Sequence, residues 1–454
     1  MKRIIAFVVI AFACVAASPV RPAAAAEAMS FIRDAEIENT IQTFALPVFR
    51  AAGLDPAAIK LYLVKDKTLN AFVSGGQNLF INTGLLMRTE HAGQLVGVIA
   101  HETGHIAGGH LLRIGATMDN ASTQAILGVV LGAAAAAATG KPELGTAIVQ
   151  GSQQLAMSNI IRFSQTQEYS ADLAALKFLD TSHMSAKGLS EFLNILGDQE
   201  ALYTSAQDPY VRTHPLTRDR IDALEGQVTK SRYRDATLPP TFEEMHRRMR
   251  AKLVGFLDPM TTVMKRYPET DNSLESRYAR AIAYYKRPDL DKALPLIESL
   301  IVERPEDPYF QELKGQVLFE NGRAAEAMPA YEMAVRLLPN EATLRAGLAQ
   351  IQIEINAADN NPALLDQAII HLRAGLGIEP KAPFMWRLLA TAYGRKNEMG
   401  LSSLAMAEEA ILQGRRADAR FLAERANRTL PESSPYRLQA QDLLRATEDA
   451  KERR

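Results

Sequence analysis

The C-terminal part of the chain, from about residue 270, repeats small and large residues at a fixed spacing. One period shows the spacing in full, at Gly315, Leu318, Ala327, Tyr331, Ala334 and Pro339. The same offsets recur before and after it, at Ala281, Tyr284, Ala293 and Pro305, at Ala368 and Pro380, and at Ala419, Ala426 and Pro431. A period of about 34 residues with this pattern is typical of stacked helix pairs. Residues 270–454 are therefore predicted to form an α-helical solenoid.

The repeat matches the tetratricopeptide pattern, but imperfectly. Another first-helix pattern, at Trp386, Leu389, Ala390 and Tyr393, is about half a repeat out of phase with its neighbours. An insertion lies around "NAADNNPALLD", because the distance from Pro339 to Pro380 exceeds one period. One helix pair cannot bury its apolar face alone, so neighbouring pairs stack and leave a curved groove. We expect this groove to dock on the chain's own N-terminal domain, to bind another protein, or both.

The N-terminus has the composition of a secretory signal peptide. Lys2 and Arg3 precede an apolar run over 4–17, and small residues follow it up to a predicted cleavage near Ala26. The run is too short to span a membrane. Cys14, the only cysteine, lies inside the leader, so the mature chain can form no disulfide. Lipoprotein processing at Cys14 is the alternative, although "AFAC" lacks the usual aliphatic residue. These features predict a periplasmic protein.

The remaining chain is too long for one ordinary domain. Helical spacing runs to Gly53, strand patterns follow in "IKLYLVKD" and "NLFINTG", and helical spacing then returns. We predict a mainly α protein: a signal peptide at 1–26, an α+β domain of helices and a small sheet at 27–230, a helical linker at 231–269, and the solenoid. The formal net charge of -1 gives no sign of nucleic-acid binding.

Residues 121–160 are rich in small apolar residues and are interrupted at "TGKPELG". The second arm contains Gln150, Gln153, Gln154 and Asn159, so it lacks the roughly 20 apolar residues that a membrane span needs. We expect a helical hairpin that packs near the site as a lid. Peripheral membrane contact is the alternative.

The stretch "VGVIAHETGHIAGGHLL" carries the clearest chemistry. On a helix, His101 and His105 face the same side, so both imidazoles can bind one Zn²⁺ ion. Glu102 is rotated by about 100° from His101, which keeps it off the metal but near a water bound there. It therefore suits a general base in peptide-bond hydrolysis. The alternative is a chance motif, but burying these three side chains without a metal would be costly.

The third ligand has two candidates. His110 follows His105 by five residues, whereas the known longer motif places its last histidine six residues on. We therefore expect a structural role for His110. Glu168, in the helical pattern "SQTQEYSADLAALKFL", is the preferred ligand, and Asp172 one turn later could accept the free N–H of a ligating histidine. The alternative is an ordinary solvated acidic pair.

Three separate motifs converge on one protein family. They are "HETGH" at 101–105, the E-x-x-x-D of Glu168 and Asp172, and "THPLTRDRI" at 213–221. Together they resemble the M48 zinc metallopeptidases. The segment "NAFVSGGQNLFINTGLL" at 70–86 is similar to the strand and turn that precede the metal helix in that family. The resemblance implies a zincin-like metallopeptidase domain.

The resemblance also assigns roles residue by residue. It implies one Zn²⁺ per subunit, bound by His101, His105 and Glu168. It implies that Glu102 is the catalytic base and that Asp172 supports the site.

The same resemblance places His214 close to the metal and has Arg220 brace its loop. Without the family, His214 reads as a turn residue beside a proline. A neutral imidazole there could take the fourth zinc position and hold the enzyme latent, or it could donate to the oxyanion during turnover. We hypothesise the first.

Substrate is expected to bind along the predicted strand formed by Asn78, Leu79, Phe80, Ile81 and Asn82. A peptide that adds to a sheet edge is held by backbone hydrogen bonds, which favours extended, unfolded segments. Specificity for sequence would then be loose.

The layout of leader, peptidase motifs and repeats resembles the periplasmic branch of the family. That branch acts in outer-membrane protein assembly and quality control, with chaperone-like and degrading roles. We expect a zinc endopeptidase for unfolded or misassembled proteins, with a solenoid that binds substrates or the outer-membrane assembly machinery. The alternative is a scaffold or chaperone with a silent metal site. Glu102 argues against it, because a purely structural zinc site has no use for a base.

Overall fold

The structure is a computed structural model that describes residues 30–110, isolated positions between 113 and 131, residues 142–202 and residues 214–448. The predicted signal peptide and most of the first arm of the predicted hairpin lie outside these residues. The architecture is mainly α, with one small sheet followed by a helical solenoid, so the predicted fold class is confirmed. No helix of the described residues is both long and apolar enough to cross a membrane.

The first part of the chain mixes strands and helices. Its strands are β1 (Phe31–Ile32), β2 (Lys60–Val64), β3 (Ala71–Ser74) and β4 (Asn78–Asn82). Its helices are α1 (Ala35–Ala51), α2 (Thr83–Arg88), α3 (Ala92–Ala107), α4 (Pro142–Thr181), α5 (Lys187–Leu202), α6 (Arg218–Lys230), α7 (Pro240–Leu257) and α8 (Met260–Arg266).

The solenoid consists of antiparallel helices that pack in chain order. They are α9 (Leu274–Tyr285), α10 (Leu290–Glu303), α11 (Pro308–Glu320), α12 (Ala324–Leu337), α13 (Ala342–Asp359), α14 (Pro362–Ile378), α15 (Pro383–Arg395), α16 (Met399–Leu412), α17 (Arg416–Thr429) and α18 (Pro435–Glu448). The repeat residues do what the pattern predicts. Gly315, for example, lies so close to Tyr331 of the partner helix that a Cβ there would sit 2.4 Å from its ring.

The sheet has the strand order β1-β2-β4-β3. β2 and β4 are parallel, and the two outer strands are antiparallel to their neighbours. β3 and β4 form a hairpin whose turn contains Gly75 and Gly76, both at positive φ, where glycine costs least. β4 is hydrogen bonded on both sides, so it has no free edge for a peptide. The prediction that a substrate adds to Asn78–Asn82 as an edge strand is therefore wrong. The edge strands are β1 and β3, and β3 is the one that packs against α3.

Helix α3 lies at the centre of the N-terminal core. Val98, Ile99 and Ala100 are fully buried, and α1, α4, α5 and β3 pack around the helix. The contact with α4 depends on Gly104, because a Cβ at this position would lie 2.7 Å from the carbonyl oxygen of Ala171. This close approach brings the second half of α4 against the histidines of α3.

Helix α9 of the solenoid and helix α7 both contact acidic residues at the start of α1 in the N-terminal domain. The hydroxyl of Tyr278 in α9 donates to Glu36 of α1 at 2.6 Å. Lys252 of α7 lies 2.8 Å from Asp34 and 3.3 Å from Glu36. Helix α7 also contributes Met249 to the N-terminal core, so this helix packs as part of the N-terminal domain.

Candidate metal centre

Four side chains from distant parts of the chain meet beside the edge of the sheet. His101 and His105 come from α3, Glu168 comes from α4, and His214 precedes α6. All four are buried, and one ligand atom from each lies within 4.8 Å of the others. The structure thus brings together every residue expected to bind the metal, together with the expected fourth group.

The spacing of these atoms matches a tetrahedral metal site. The Nε2 atoms of His101 and His105 are 3.1 Å apart, and each lies 3.4 Å from a carboxylate oxygen of Glu168. The Nδ1 atom of His214 lies 3.4 Å from His101 Nε2 and 3.2 Å from Glu168. Ligands bound at about 2.0–2.1 Å around tetrahedral zinc are separated by about 3.3 Å. Five of the six pairs of ligand atoms are therefore spaced as a tetrahedral zinc site requires, and the remaining pair, His105 and His214, lies within 4.8 Å.

Hydrogen bonds at the far side of each ring orient the imidazoles. Asp172 Oδ1 lies 2.8 Å from His101 Nδ1, and His110 Nδ1 lies 3.0 Å from His105 Nδ1. These contacts leave both Nε2 atoms facing the shared centre. The Nε2 atom of His214 donates to the carbonyl oxygen of Ala71, 3.2 Å away, so its Nδ1 atom faces the centre.

Charge and burial tune the same groups. Burial favours neutral His101, but the hydrogen bonds that its ring donates to Asp172 and Glu168 outweigh burial and raise its pKa to about 9. Burial opposes the ionised form of Glu168, but His214 and His101 hold the pKa of its carboxyl well below the usual range. Burial lowers the pKa of His105 well below 6.5, so its imidazole is neutral. A metal bound at His101 would release a proton.

Glu102 is fully buried next to this cluster. Its carboxylate oxygens accept no hydrogen bond from the described part of the chain, and Oε1 lies 3.4 Å from His214 Nε2. Burial raises the pKa of this carboxyl. Burying a carboxylate that accepts no hydrogen bond costs free energy. A role in exchanging protons with a water or substrate held at the site would explain why the group is buried there.

Arg220 joins both carboxylates of α4. Its Nε and Nη2 atoms donate to Asp172 at 2.6 and 2.9 Å, and Nη1 lies 2.9 Å from Glu168. The same Nη1 donates to the carbonyl oxygen of Pro215 at 3.3 Å. Arg220 is therefore placed to hold the loop of His214 against α4.

Two partners of the site were missed by sequence reasoning. His110 was expected to have a structural role, and the structure places it against His105 rather than among the four clustered groups. The five-residue offset between His105 and His110 argued against His110 as a metal ligand, but it did not predict the contact between the two rings. The other missed partner is the backbone carbonyl of Ala71, which no side-chain pattern in the sequence could predict.

The second arm of the predicted lid is helical, as the N-terminal half of α4. Leu155, Met157 and Ile161 are nonetheless exposed, so the expected packing of this arm against the site is not found among the described residues. The part of α4 that belongs to the N-terminal core comes later in the helix, at Ala175, Phe178 and Leu179.

Known proteins share both halves of this architecture. Residues 32–228 match the family profile described as Peptidase family M48, and residues 278–342 match a tetratricopeptide repeat profile. A protein named Beta-barrel assembly-enhancing protease from Yersinia pestis is 24% identical over 365 residues, which cover 79% of this chain and 72% of the relative. Its namesake in Escherichia coli (strain K12) is 22% identical over 387 residues, which cover 85% and 77%.

Among solved structures, MamA MSR-1 C2 covers 37% of this chain and 93% of its own, at 18% identity and a TM-score of 0.32. A TM-score this low does not establish a shared fold. The profile matches confirm the predicted resemblance: the chain carries an M48 metallopeptidase domain and C-terminal tetratricopeptide repeats.

Proposed function

We propose that this chain, an M48 metallopeptidase domain followed by tetratricopeptide repeats, is a periplasmic zinc endopeptidase for unfolded or misassembled proteins. The observation that carries the proposal is the cluster of four buried ligand atoms within 4.8 Å of one another, beside the Glu102 carboxylate, which accepts no hydrogen bond from the described residues. Because the relatives are named for β-barrel assembly, we place its substrates among outer-membrane proteins. The leader and the solenoid would direct the chain to that compartment and recruit partners there.

His101, His105 and Glu168 would hold the ion. Two imidazole nitrogens and a carboxylate form a donor set that suits zinc better than magnesium or calcium, which prefer oxygen ligands. Zinc bound there would supply Lewis-acid chemistry to polarise a peptide carbonyl and acidify a water. Asp172 and His110 would keep the two rings in the tautomer that binds metal.

Glu102 would move the proton. Its carboxylate would accept a proton from the attacking water and pass it to the amine of the leaving peptide. The raised pKa that burial gives this carboxyl favours its accepting role. Arg220 would neutralise Glu168 and Asp172, so that the buried acidic groups do not repel one another.

The substrate would lie along β3, the edge strand next to the site. Backbone hydrogen bonds to such an edge select extended chains. His214 would oppose this binding, because it already donates to the Ala71 carbonyl and would also take the fourth position around the ion. Release of its loop would therefore open the metal and the strand edge together.

Zinc content and proteolysis, measured on the same preparations, test the proposal. The wild type should hold about one zinc per chain and cleave a denatured model protein. Glu102→Gln should hold equal zinc and lose at least about 100-fold in rate, the usual contribution of a general base. If both proteins bind zinc and neither cleaves, the chain is a scaffold with a silent site.

A further inference from the structure

One aromatic side chain from each strand lies on the same face of the sheet. Tyr62 and Phe80 stack with ring centroids 4.9 Å apart and an angle of 14° between their planes. Phe80 and Phe72 stack with the same centroid distance of 4.9 Å and an interplanar angle of 5°. Phe31 lies 5.8 Å from Tyr62 at the opposite edge. We call these four residues the aromatic ladder. It runs across the whole sheet, from β1 to β3.

The ladder faces away from the hydrophobic core. In β3, Ala71 and Val73 are buried in the core, so Phe72 between them points to the other face. None of the four aromatic residues belongs to the core cluster of the described residues, and Phe31 is 50% exposed.

Cross-strand stacking explains the inner members of the ladder. Phe72 and Phe80 are directly opposite in the register of β3 and β4, as are Tyr62 and Phe80 in that of β2 and β4. Such pairs stabilise a sheet without any further function. Phe72 differs, because no strand of the described chain pairs with the outer edge of β3. The ladder therefore has an open end there.

The open end lies at the metal centre. Phe72 is adjacent to Ala71, whose carbonyl oxygen accepts a hydrogen bond from His214. The backbone of Asn70 accepts from Asn82 of β4, so in an antiparallel pair the neighbouring Ala71 directs its carbonyl to the free edge. A peptide paired with β3 would thus lie beside both Phe72 and the clustered ligands.

We propose that Phe72, backed by Phe80, forms a specificity subsite for an aromatic side chain of the substrate. The inference rests on the proposed function and deepens it. A substrate strand on β3 places one residue opposite Phe72 on the same face, with Cβ atoms about 4.5–5.5 Å apart. An aromatic ring at that position continues the ladder as a fifth stacked ring. The enzyme then prefers unfolded segments that carry an aromatic residue at one fixed distance from the cleaved bond.

Cleavage-site mapping tests the preference. Denatured proteins digested by the wild type should show aromatic residues enriched at a single position relative to the cut. For matched peptides with Phe or Leu at that position, kcat/KM should favour Phe by about 3- to 10-fold, as expected for one aromatic pair. Phe72→Leu should bring the ratio near one, and Phe72→Tyr should restore it. Phe31→Leu, at the far end of the ladder, should keep the wild-type ratio.

A binding measurement separates this inference from the proposed function. The same two peptides are titrated into Glu102→Gln and into the double variant with Phe72→Leu. The Phe peptide should bind Glu102→Gln about 3- to 10-fold more tightly, and the double variant should bind both equally. Cleavage without a positional aromatic preference, or a preference that survives Phe72→Leu, overturns the inference and leaves the peptidase intact. If no protein cleaves, the proposed function fails, and the peptide affinities alone decide the inference.

Discussion

The Nε2 atom of His214 lies 3.2 Å from the carbonyl oxygen of Ala71, on the edge strand beside the metal centre. A carbonyl only accepts, so this contact requires the proton on Nε2, while Nδ1 lies among the clustered ligand atoms, 3.2 Å from Glu168. Under the proposed function, this one side chain would block both the strand edge that a peptide needs and the position that a reacting water needs. Latency and substrate exclusion would then follow from the same loop.

His214→Ala is predicted to raise cleavage of a denatured protein. In the wild type, a substrate must displace the hydrogen bond between His214 and Ala71. Removing this bond should raise the cleavage rate by about 2- to 10-fold, and autolysis should increase as well. The rates are compared with those of His91→Ala, which removes a histidine on the exposed surface. Lower cleavage with unchanged autolysis would show that His214 assists turnover and does not latch the site.

Asp172→Asn is predicted to weaken zinc binding. The substitution replaces the carboxylate that fixes the His101 ring and pairs with Arg220, and loss of such a partner lowers metal affinity by about 10- to 100-fold. Competition with a chromogenic chelator measures the effect. Asp219→Asn, in a neighbouring acidic residue outside the centre, serves as the control. Equal affinity in the two variants would mean that Asp172 does not orient the ligand.

Lys252→Met is predicted to destabilise the junction between the two domains. The substitution leaves Asp34 and Glu36 without the buried ammonium that lies between them. Breaking a buried ion pair on one side costs about 3–5 kcal/mol. Chemical denaturation measures the loss, and Lys292→Met, in an exposed pair with Asp289, should cost under about 1 kcal/mol. A similar small loss for both would show that the junction charges do not hold the domains.

Stability is predicted to fall on acidification because of His246. Burial lowers its pKa from 6.5 to about 3, while Arg250 adds repulsion, and Thr89 bonds its Nε2 at 2.9 Å. The unfolded chain binds a proton that the folded chain excludes, so stability is full above pH 6.5 and declines below it. The loss should reach about 3 kcal/mol by about pH 4.5. His246→Gln should flatten this part of the curve, and an unchanged slope would assign the effect to other groups.

Much of the centre could be predicted because its residues follow helical spacing. The offset of four between His101 and His105, and that between Glu168 and Asp172, places each pair on one face of a helix whatever the rest of the fold does. Strand order is different, because it depends on crossovers that local patterns do not encode. The composition of Asn78–Asn82 is compatible with either an edge strand or an interior strand. The pairing of β2 with β4 is what makes it an interior strand.

The partners of the ligands were beyond the sequence for a similar reason. His110 contacts His105 because the chain turns at Gly109, which has a φ of 61°. The role of Ala71 comes from a backbone carbonyl, which every residue carries. The exposed arm of α4 looked like a packed lid because its residues are apolar, yet apolar composition does not specify the surface that covers a helix.

Diffraction at the zinc absorption edge, from crystals of the purified chain, locates the ion. We expect one anomalous peak per chain, within about 2.0–2.2 Å of His101 Nε2, His105 Nε2 and a carboxylate oxygen of Glu168. A zinc ion held elsewhere, for example between His105 and His110, or no zinc at these three atoms in a preparation that cleaves protein, would contradict this expectation.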